Sequence, residues 1–162
     1  MTFNNYTQKS LEAVQSAQNI AVQHSNQQLE QIHLLLALLQ QDGGLTPQLL
    51  RKMGVNAESL ETAAKAEVRK LPTVTGSREA DRFYISAAVD AAFCAAEQQA
   101  QGMKDDFISV EHLLLGLIEA AQGSVKNLFE TYRITKEGIL QALQGIRGSQ
   151  RVTTDNPEST YD

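Results

Sequence analysis

One apolar signature occurs twice in the chain, first as Ile32-His33-Leu34-Leu35-Leu36-Ala37-Leu38-Leu39 and again as Glu111-His112-Leu113-Leu114-Leu115-Gly116-Leu117-Ile118. The offset between the two histidines is 112 − 33 = 79 residues. The same offset aligns residues 7–64 with residues 86–143 without a gap, and nearly every match is apolar. Because the matches fall at helical spacing, they indicate an internal duplication, which has to be recognised before other features are interpreted.

The composition is typical of one globular domain. The 162 residues are 42% hydrophobic and 20% charged, and the formal net charge is −5. No apolar run approaches the roughly 18 residues that a membrane span needs, so we expect no membrane partner. The acidic balance also argues against nucleic acid, whose affinity comes mainly from Lys and Arg on phosphates.

The beginning of the chain and its cysteine content favour a cytoplasmic protein. Met1-Thr2-Phe3-Asn4-Asn5-Tyr6 has no basic start and no apolar region of the kind found in secretory signals. Cys94 is the single cysteine, which excludes an internal disulfide and suits a reducing compartment.

Periodicity and capping residues predict an all-α fold of eight helices, in two four-helix repeats related by a pseudo-twofold axis, without a sheet. The signature segments are apolar on several sides, so we expect them to be the buried second helix of each repeat. Thr46-Pro47 predicts the start of the third helix. Residues suited to cap other helices precede the apolar stripes: Thr7, Asn56, Ser86, Ser109 and Thr135.

Breaks in this pattern divide the chain. We place repeat 1 at about 6–70, a connector at 71–82 and repeat 2 at about 83–148, and the segment 149–162 follows as a tail. The connector contains Leu71-Pro72 and Gly76, which interrupt the helical pattern. Because the tail is polar and has no apolar stripe to bury, we expect it to be flexible.

No catalytic or metal-binding pattern is present. His33 and His112 occupy equivalent positions, which favours structural packing over a metal site, and no His-Glu-x-x-His motif occurs. Cys94 is expected to be a partly buried, inert thiol. Gly43-Gly44 lacks the Lys of a phosphate loop. We therefore predict no enzyme activity in this domain and no cofactor.

The acidic residues after the fifth predicted helix have two interpretations. Asp105, Asp106 and Glu111 could act as paired carboxylates. A solvated loop followed by an acidic first turn of a helix explains the same residues and is favoured.

Binding is the remaining class of function. Two similar bundles leave a seam between them, and such seams are common ligand sites. We expect the seam to be lined by residues near the first and second helices of the repeats: Thr7, Leu11, Val14, Phe93, Phe107 and Glu111. Phe93 aligns with Val14 and could equally be plain core, whereas Phe107 lies in a polar loop and is the better candidate for an exposed apolar contact.

With these features assembled, the chain resembles the Clp N-terminal repeat domains over residues 1–148. Val110-Glu111-His112-Leu113-Leu114-Leu115-Gly116-Leu117 is close to the family signature, and Gly54-Val55-Asn56 matches the turn after the third helix. The connector Leu71-Pro72-x-Val74-x-Gly76 is similar to that of ClpB-type disaggregase chaperones. The tail resembles the start of the link to a first AAA+ module, so we expect an isolated domain of a longer protein.

The resemblance implies a non-catalytic, monomeric module that is attached to a hexameric AAA+ ATPase ring. Such modules capture unfolded or aggregated client proteins in an apolar groove beside a small polar cluster. By matched position, the polar members are Thr7, Asp105 and Glu111, and Phe93 contributes to the groove. Ile32 stands where the signature has glutamate, so a symmetric pair of acidic pockets, such as ClpC uses for phosphoarginine, should be half absent.

The resemblance leaves one alternative function open. The chain could be the adaptor-docking N-terminal domain of a ClpC- or ClpA-type protease chaperone, which would recognise a folded partner through a polar surface. Strong dependence of binding on salt would favour that alternative.

Overall fold

The computed structural model describes residues 3–74, 84–148 and 150–160, which form eight α-helices, two short strands and a 3₁₀ turn. The helices are α1 (Gln8–Gln23), α2 (Gln31–Gln40), α3 (Leu45–Lys52), α4 (Ala57–Arg69), α5 (Ala87–Gly102), α6 (Val110–Ala120), α7 (Gly123–Thr131) and α8 (Lys136–Arg147). The strands are β1 (Gln28–Leu29) and β2 (Tyr84–Ile85), and the turn is Pro157–Thr160. None of the helices in this part of the chain has the length and apolarity of a membrane span.

The helix boundaries repeat with the offset found in the sequence. The first residue of α1 maps onto the first residue of α5 (8 + 79 = 87), and α4 maps onto α8 in the same way (57 + 79 = 136). The predicted architecture of two four-helix repeats is therefore confirmed.

Backbone pairing across the junction shows how the repeats are related. Leu29 of β1 lies opposite Ile85 of β2 in a parallel pair, and a separate parallel bridge joins Tyr6 to Ile108. Because 6 + 79 = 85 and 29 + 79 = 108, each contact is a copy of the other with the repeats exchanged, as a pseudo-twofold axis requires. The prediction of no sheet is wrong, because the extended residues before the helices satisfy their backbone groups across the junction.

The signature helices form the centre of the core. Every residue from 31 to 39 and from 110 to 117 is buried. Gly116 allows α5 to lie close to α6, since a Cβ there would be 2.5 Å from both the Ala92 carbonyl oxygen and the Ala96 nitrogen. The first repeat has Ala37 at the equivalent position.

Helix starts follow the predicted capping residues except at α3. The side chains of Thr7, Asn56, Ser86 and Thr135 each accept a hydrogen bond from the backbone N–H three residues later. The predicted start at Thr46-Pro47 is wrong, because α3 begins at Leu45 with Gly44 as its cap. Gly43, which has a φ of 59°, turns the chain there, and the Thr46 hydroxyl is buried without a hydrogen-bond partner among the described residues.

Only the first part of the predicted connector lies within the described residues. Thr73 forms an antiparallel bridge with Asn26, and the Val74 N–H donates to the Ser25 carbonyl at 2.8 Å. The remainder of the connector, residues 75–82, lies outside the described residues.

Candidate functional site

His33 begins the buried helix of the first repeat, and both of its ring nitrogens are hydrogen-bonded. The backbone N–H of Glu30 donates to Nδ1 at 2.9 Å, so the ring proton is on Nε2. Nε2 donates to Oδ1 of Asn26 at 2.8 Å. Burial, with His24 adding a smaller effect, lowers the pKa of His33 to about 4. His33 therefore packs as a neutral, satisfied core residue, as the sequence predicted.

His112 repeats this arrangement with a carboxylate in place of the amide. The backbone N–H of Ser109 donates to its Nδ1 at 2.9 Å, and its Nε2 lies 2.7 Å from Oδ2 of Asp105. Burial alone would raise the pKa of Asp105, but hydrogen bonds from His112, the Val152 backbone N–H and Arg147 outweigh it and hold that pKa below its usual range.

Arg147 joins Asp105 to a second buried carboxylate. Its guanidinium forms an ion pair with Asp105, and its Nη1 lies 3.2 Å from Oε2 of Glu111. The side chain of Arg147 is 3% exposed, and both carboxylates are fully buried. Oε1 of Glu111 has no hydrogen-bond partner within the described part of the chain. The result is a desolvated cluster in which one guanidinium pairs with two acidic side chains.

This cluster belongs to the second repeat alone. Under the 79-residue offset, Asp105 corresponds to Asn26, Glu111 to Ile32, and Arg147 to Val68. Ile32 and Val68 are both buried in the core. The first repeat thus has an uncharged interior where the second has three charges.

Thr7 meets the start of α6 through a residue of the tail. Its side-chain oxygen accepts from the Ser10 N–H at 3.2 Å, and its hydroxyl donates to Oε2 of Glu158 at 3.0 Å. The N–H of Val110, the first residue of α6, donates to the same carboxylate oxygen at 3.2 Å. Burial raises the pKa of Glu158, and the nearby carboxylate of Glu111 raises it further. We refer to Thr7, Asp105, Glu111 and Arg147 together as the polar site.

The tail segment, residues 150–158, covers the polar site. The Val152 N–H donates to Oδ1 of Asp105 at 2.9 Å, and its carbonyl accepts from the Asp106 N–H at 2.8 Å. Val152 is 0% exposed. The expectation that the tail has nothing apolar to bury is therefore wrong at Val152, and the solvated-loop interpretation is wrong for Asp105. Both predictions failed for the same reason, because Val152 and Asp105 contact each other and each shields the other from water.

The predicted apolar residues of the seam are spread between core and surface. Phe93 is fully buried, with its ring 5.5 Å from Phe3 and 6.4 Å from Tyr6 in edge-to-face contacts. Val14 is also buried, so neither Phe93 nor Val14 offers surface to a ligand in this conformation. Leu11 is 40% exposed.

Phe107 is half-buried, and its N–H lies 3.3 Å from the Val152 carbonyl oxygen. Of the seven predicted site residues, four contact the tail or the ion cluster: Thr7, Asp105, Phe107 and Glu111.

An open groove lies along α8 next to the polar site, and we refer to it as the α8 groove. It has a volume of about 280 Å³ and is lined by Met103, Leu140, Leu143, Gln144, Arg147, Gly148, Gln150 and Arg151. Met103 and Leu140 are partly exposed. The sequence interpretation missed this groove and Arg147, although the alignment of Arg147 with the apolar Val68 signals a charge at a buried position.

The described side chains do not form an arrangement for covalent or metal chemistry. No group of three His, Cys, Asp or Glu residues in this part of the chain is placed to hold a metal ion. Cys94 is exposed, so the expected partial burial of its thiol is wrong. The arrangement can bind an extended, partly apolar ligand beside a buried ion cluster.

Comparisons with known proteins agree with this architecture. Residues 5–132 match the family described as the Clp repeat (R) N-terminal domain. Over 100% of its length, the chain is 42% identical to the chaperone protein ClpB of Bacillus cereus (strain ATCC 10987 / NRS 248) and 37% identical to that of Clostridium tetani. It spans 19% of the length of each of these relatives.

A solved structure has the same fold. The N-terminal domain of Hsp104 from Candida albicans matches with a TM-score of 0.79 at 24% identity. The match covers 94% of this chain and 97% of that one.

Proposed function

Because the chain belongs to the Clp repeat N-terminal domain family, we propose that it is the substrate-recognition module of a ClpB-type protein disaggregase. It binds exposed apolar segments of unfolded or aggregated cytoplasmic proteins and hands them to a hexameric AAA+ ring. We propose that the ATPase lies outside this chain, which spans 19% of the length of the ClpB relatives that it matches.

The α8 groove is the observation that supports this proposal. Partly exposed Met103 and Leu140 lie there beside the charged Arg147. The apolar side chains of the groove can contact many sequences, as a general chaperone requires, and the polar side chains of Gln144, Gln150 and Arg151 form much of the remaining lining. Burial of ~200 Å² of client side chains would contribute about 5 kcal/mol before ordering costs. Binding is therefore expected to have a Kd of about 0.2 mM or weaker, which permits release of the client to the ring.

NMR titration tests the proposal directly. Reduced, carboxymethylated lysozyme serves as a permanently unfolded client, and we expect shifts of the amides of Met103, Phe107 and Leu140. Leu140→Gln should weaken binding about tenfold, because it places a polar amide in the groove. Val22→Gln is the matched control, since Val22 is 54% exposed and does not line the groove. Equal affinities of the two variants would contradict the proposal.

The same titration separates this function from adaptor docking. A folded partner recognised through a polar surface would bind with strong dependence on salt and would be insensitive to Leu140→Gln. Phe93→Ala cannot make this distinction, because Phe93 is a core residue and its truncation would damage the fold.

A further inference from the structure

The tail segment has the contacts of a bound peptide, and we propose that it is a tethered ligand of the polar site that a client segment displaces. The ligand class is a peptide in which a buried aliphatic side chain is followed six residues later by a carboxylate that lies in a 3₁₀ turn, as in Val152 and Glu158 (158 − 152 = 6). This inference rests on the proposed function, because it assigns the polar site to the same clients as the α8 groove.

The backbone of the tail is bound as a peptide ligand would be. The Arg147 Nε–H donates to the Gln150 carbonyl at 2.7 Å. The Gln8 N–H donates to the Asp155 carbonyl at 2.7 Å, and Val152 is held by hydrogen bonds at both its N–H and its carbonyl. Such bonds hold the backbone of a bound segment in place without specifying its side chains.

The side chains of Val152 and Glu158 determine which peptides fit the site. Val152 is enclosed completely, so a larger or charged side chain would not fit that position without a shift of its surroundings. Oε2 of Glu158 accepts from the Thr7 hydroxyl and from the Val110 N–H at the start of α6. The N-terminus of a helix favours an anion, and the Thr7 hydroxyl gives this anion a directional partner.

Unfavourable features at Glu158 allow a client to displace the tail. Oε2 of Glu158 accepts from the N–H of Val110, the residue before Glu111, so the two carboxylates lie at the same helix start, and repulsion from Glu111 disfavours ionisation of Glu158. Oε1 of each is buried and has no hydrogen-bond partner among the described residues. A client that offers one good contact in place of this repulsion can therefore compete with the tail.

The α8 groove, where the client is proposed to bind, is adjacent to the docked tail segment. Gln150 and Arg151, where the tail segment begins, form part of its wall. A client segment that extends from the groove toward Asp105 meets the position of Val152. Binding of the client and docking of the tail are therefore mutually exclusive at that point.

The first experiment measures the tail as a ligand, independently of clients. Val152→Asp in the full chain should release the tail, because it places a carboxylate against Asp105. Thr153→Asp adds the same charge at the next, exposed position and is the matched control. A synthetic peptide of residues 150–160 should bind the Val152→Asp variant and shift the amides of Thr7, Asp105 and Val110. The same peptide with Glu158→Ala should bind about fivefold more weakly, as expected for loss of a hydrogen-bonded carboxylate.

The second experiment measures competition with the client. Reduced, carboxymethylated lysozyme should bind Val152→Asp several-fold more tightly than Thr153→Asp. Glu158→Ala in the full chain is a second releasing variant, for use if Val152→Asp perturbs the amide spectrum of the core. Failure of the peptide to bind, or equal client affinity of the released and control variants, would overturn the inference. If the peptide binds but no variant binds the client, the proposed function and displacement of the tail by a client both fail, while the ligand class of the polar site stands.

Discussion

Arg147, in the last turn of α8, reaches Glu111 in the first turn of α6, with Nη1 3.2 Å from Oε2. The same guanidinium also forms an ion pair with Asp105. Because all three groups are desolvated, each charge depends on the others for its stability. This relationship couples the end of the second repeat to its buried central helix and to the site that the tail covers.

Removal of the cation should destabilise the domain strongly. Arg147→Val leaves Asp105 and Glu111 buried without a counter-charge, and we expect the free energy of unfolding to fall by about 3–5 kcal/mol. Urea denaturation monitored by circular dichroism measures the change. A loss below about 1 kcal/mol would mean that water reaches the carboxylates and replaces the guanidinium.

The first repeat shows which uncharged residues can replace all three charged residues of the cluster. Replacement of all three charges by their first-repeat counterparts gives Asp105→Asn, Glu111→Ile and Arg147→Val in one chain. We expect this triple variant to recover most of the stability that Arg147→Val loses, because the uncharged side chains need no counter-ion and both variants lose the same volume at position 147. A triple variant less stable than Arg147→Val would show that the cluster is held by something other than charge balance.

The close approach of α5 and α6 at Gly116 predicts a local steric effect. Gly116→Ala would place a methyl group 2.5 Å from the Ala96 nitrogen, so we expect a loss of about 1–3 kcal/mol in the free energy of unfolding. Gly102→Ala is the control, because nothing lies within 4 Å of a Cβ there. Thermal denaturation of both variants should show a lower Tm for Gly116→Ala alone.

The neutral state of His33 predicts an acid-dependent loss of stability. The pKa is about 4 in the folded chain and 6.5 ordinarily, so the unfolded chain binds the proton first. Stability should fall as the pH decreases from 6.5 to 4 and change little from this source below that window. Urea denaturation at several pH values across this window measures the slope.

Asn26→Asp should remove part of that slope. It gives His33 the carboxylate partner that His112 has in Asp105, which raises the pKa of His33 toward its ordinary value. The hydrogen bond from Asn26 Nδ2 to the Pro72 carbonyl, at 3.3 Å, is lost, so the variant should be less stable at pH 7. Asn19→Asp on the exposed surface of α1 is the control. An unchanged slope in Asn26→Asp would contradict the assignment to His33.

Docking of the tail should weaken as the pH rises. Burial and the carboxylate of Glu111 raise the pKa of Glu158 above its ordinary 4.5 despite the hydrogen bonds from Val110 and Thr7, so the docked carboxyl keeps its proton to a higher pH than the released one. Between the ordinary and the raised pKa, the released carboxyl loses its proton more readily than the docked one, and docking becomes less favourable. The chemical shift of the Val152 amide follows this equilibrium. Glu158→Gln, which cannot ionise, should remove the dependence.

The sequence by itself determined the duplication, the eight helices and the central position of the two signature helices. These features depend on apolar spacing within a few turns and on capping residues three positions from their partners, so they are local. The structural role of His33 and His112 followed in the same way, because both begin an apolar helix at equivalent positions. Two local predictions failed, at the start of α3 and at Cys94.

Only the tertiary structure decided the pairing of Tyr6 with Ile108, the burial of Phe93 and the position of the tail. Arg147 meets partners 36 and 42 residues away in sequence, and Glu158 meets Thr7 across 151 residues. No periodicity links residues at such separations. A buried charge is stable only when distant elements bring its counter-charge into the same desolvated volume, so the polar site exists only once the chain has folded.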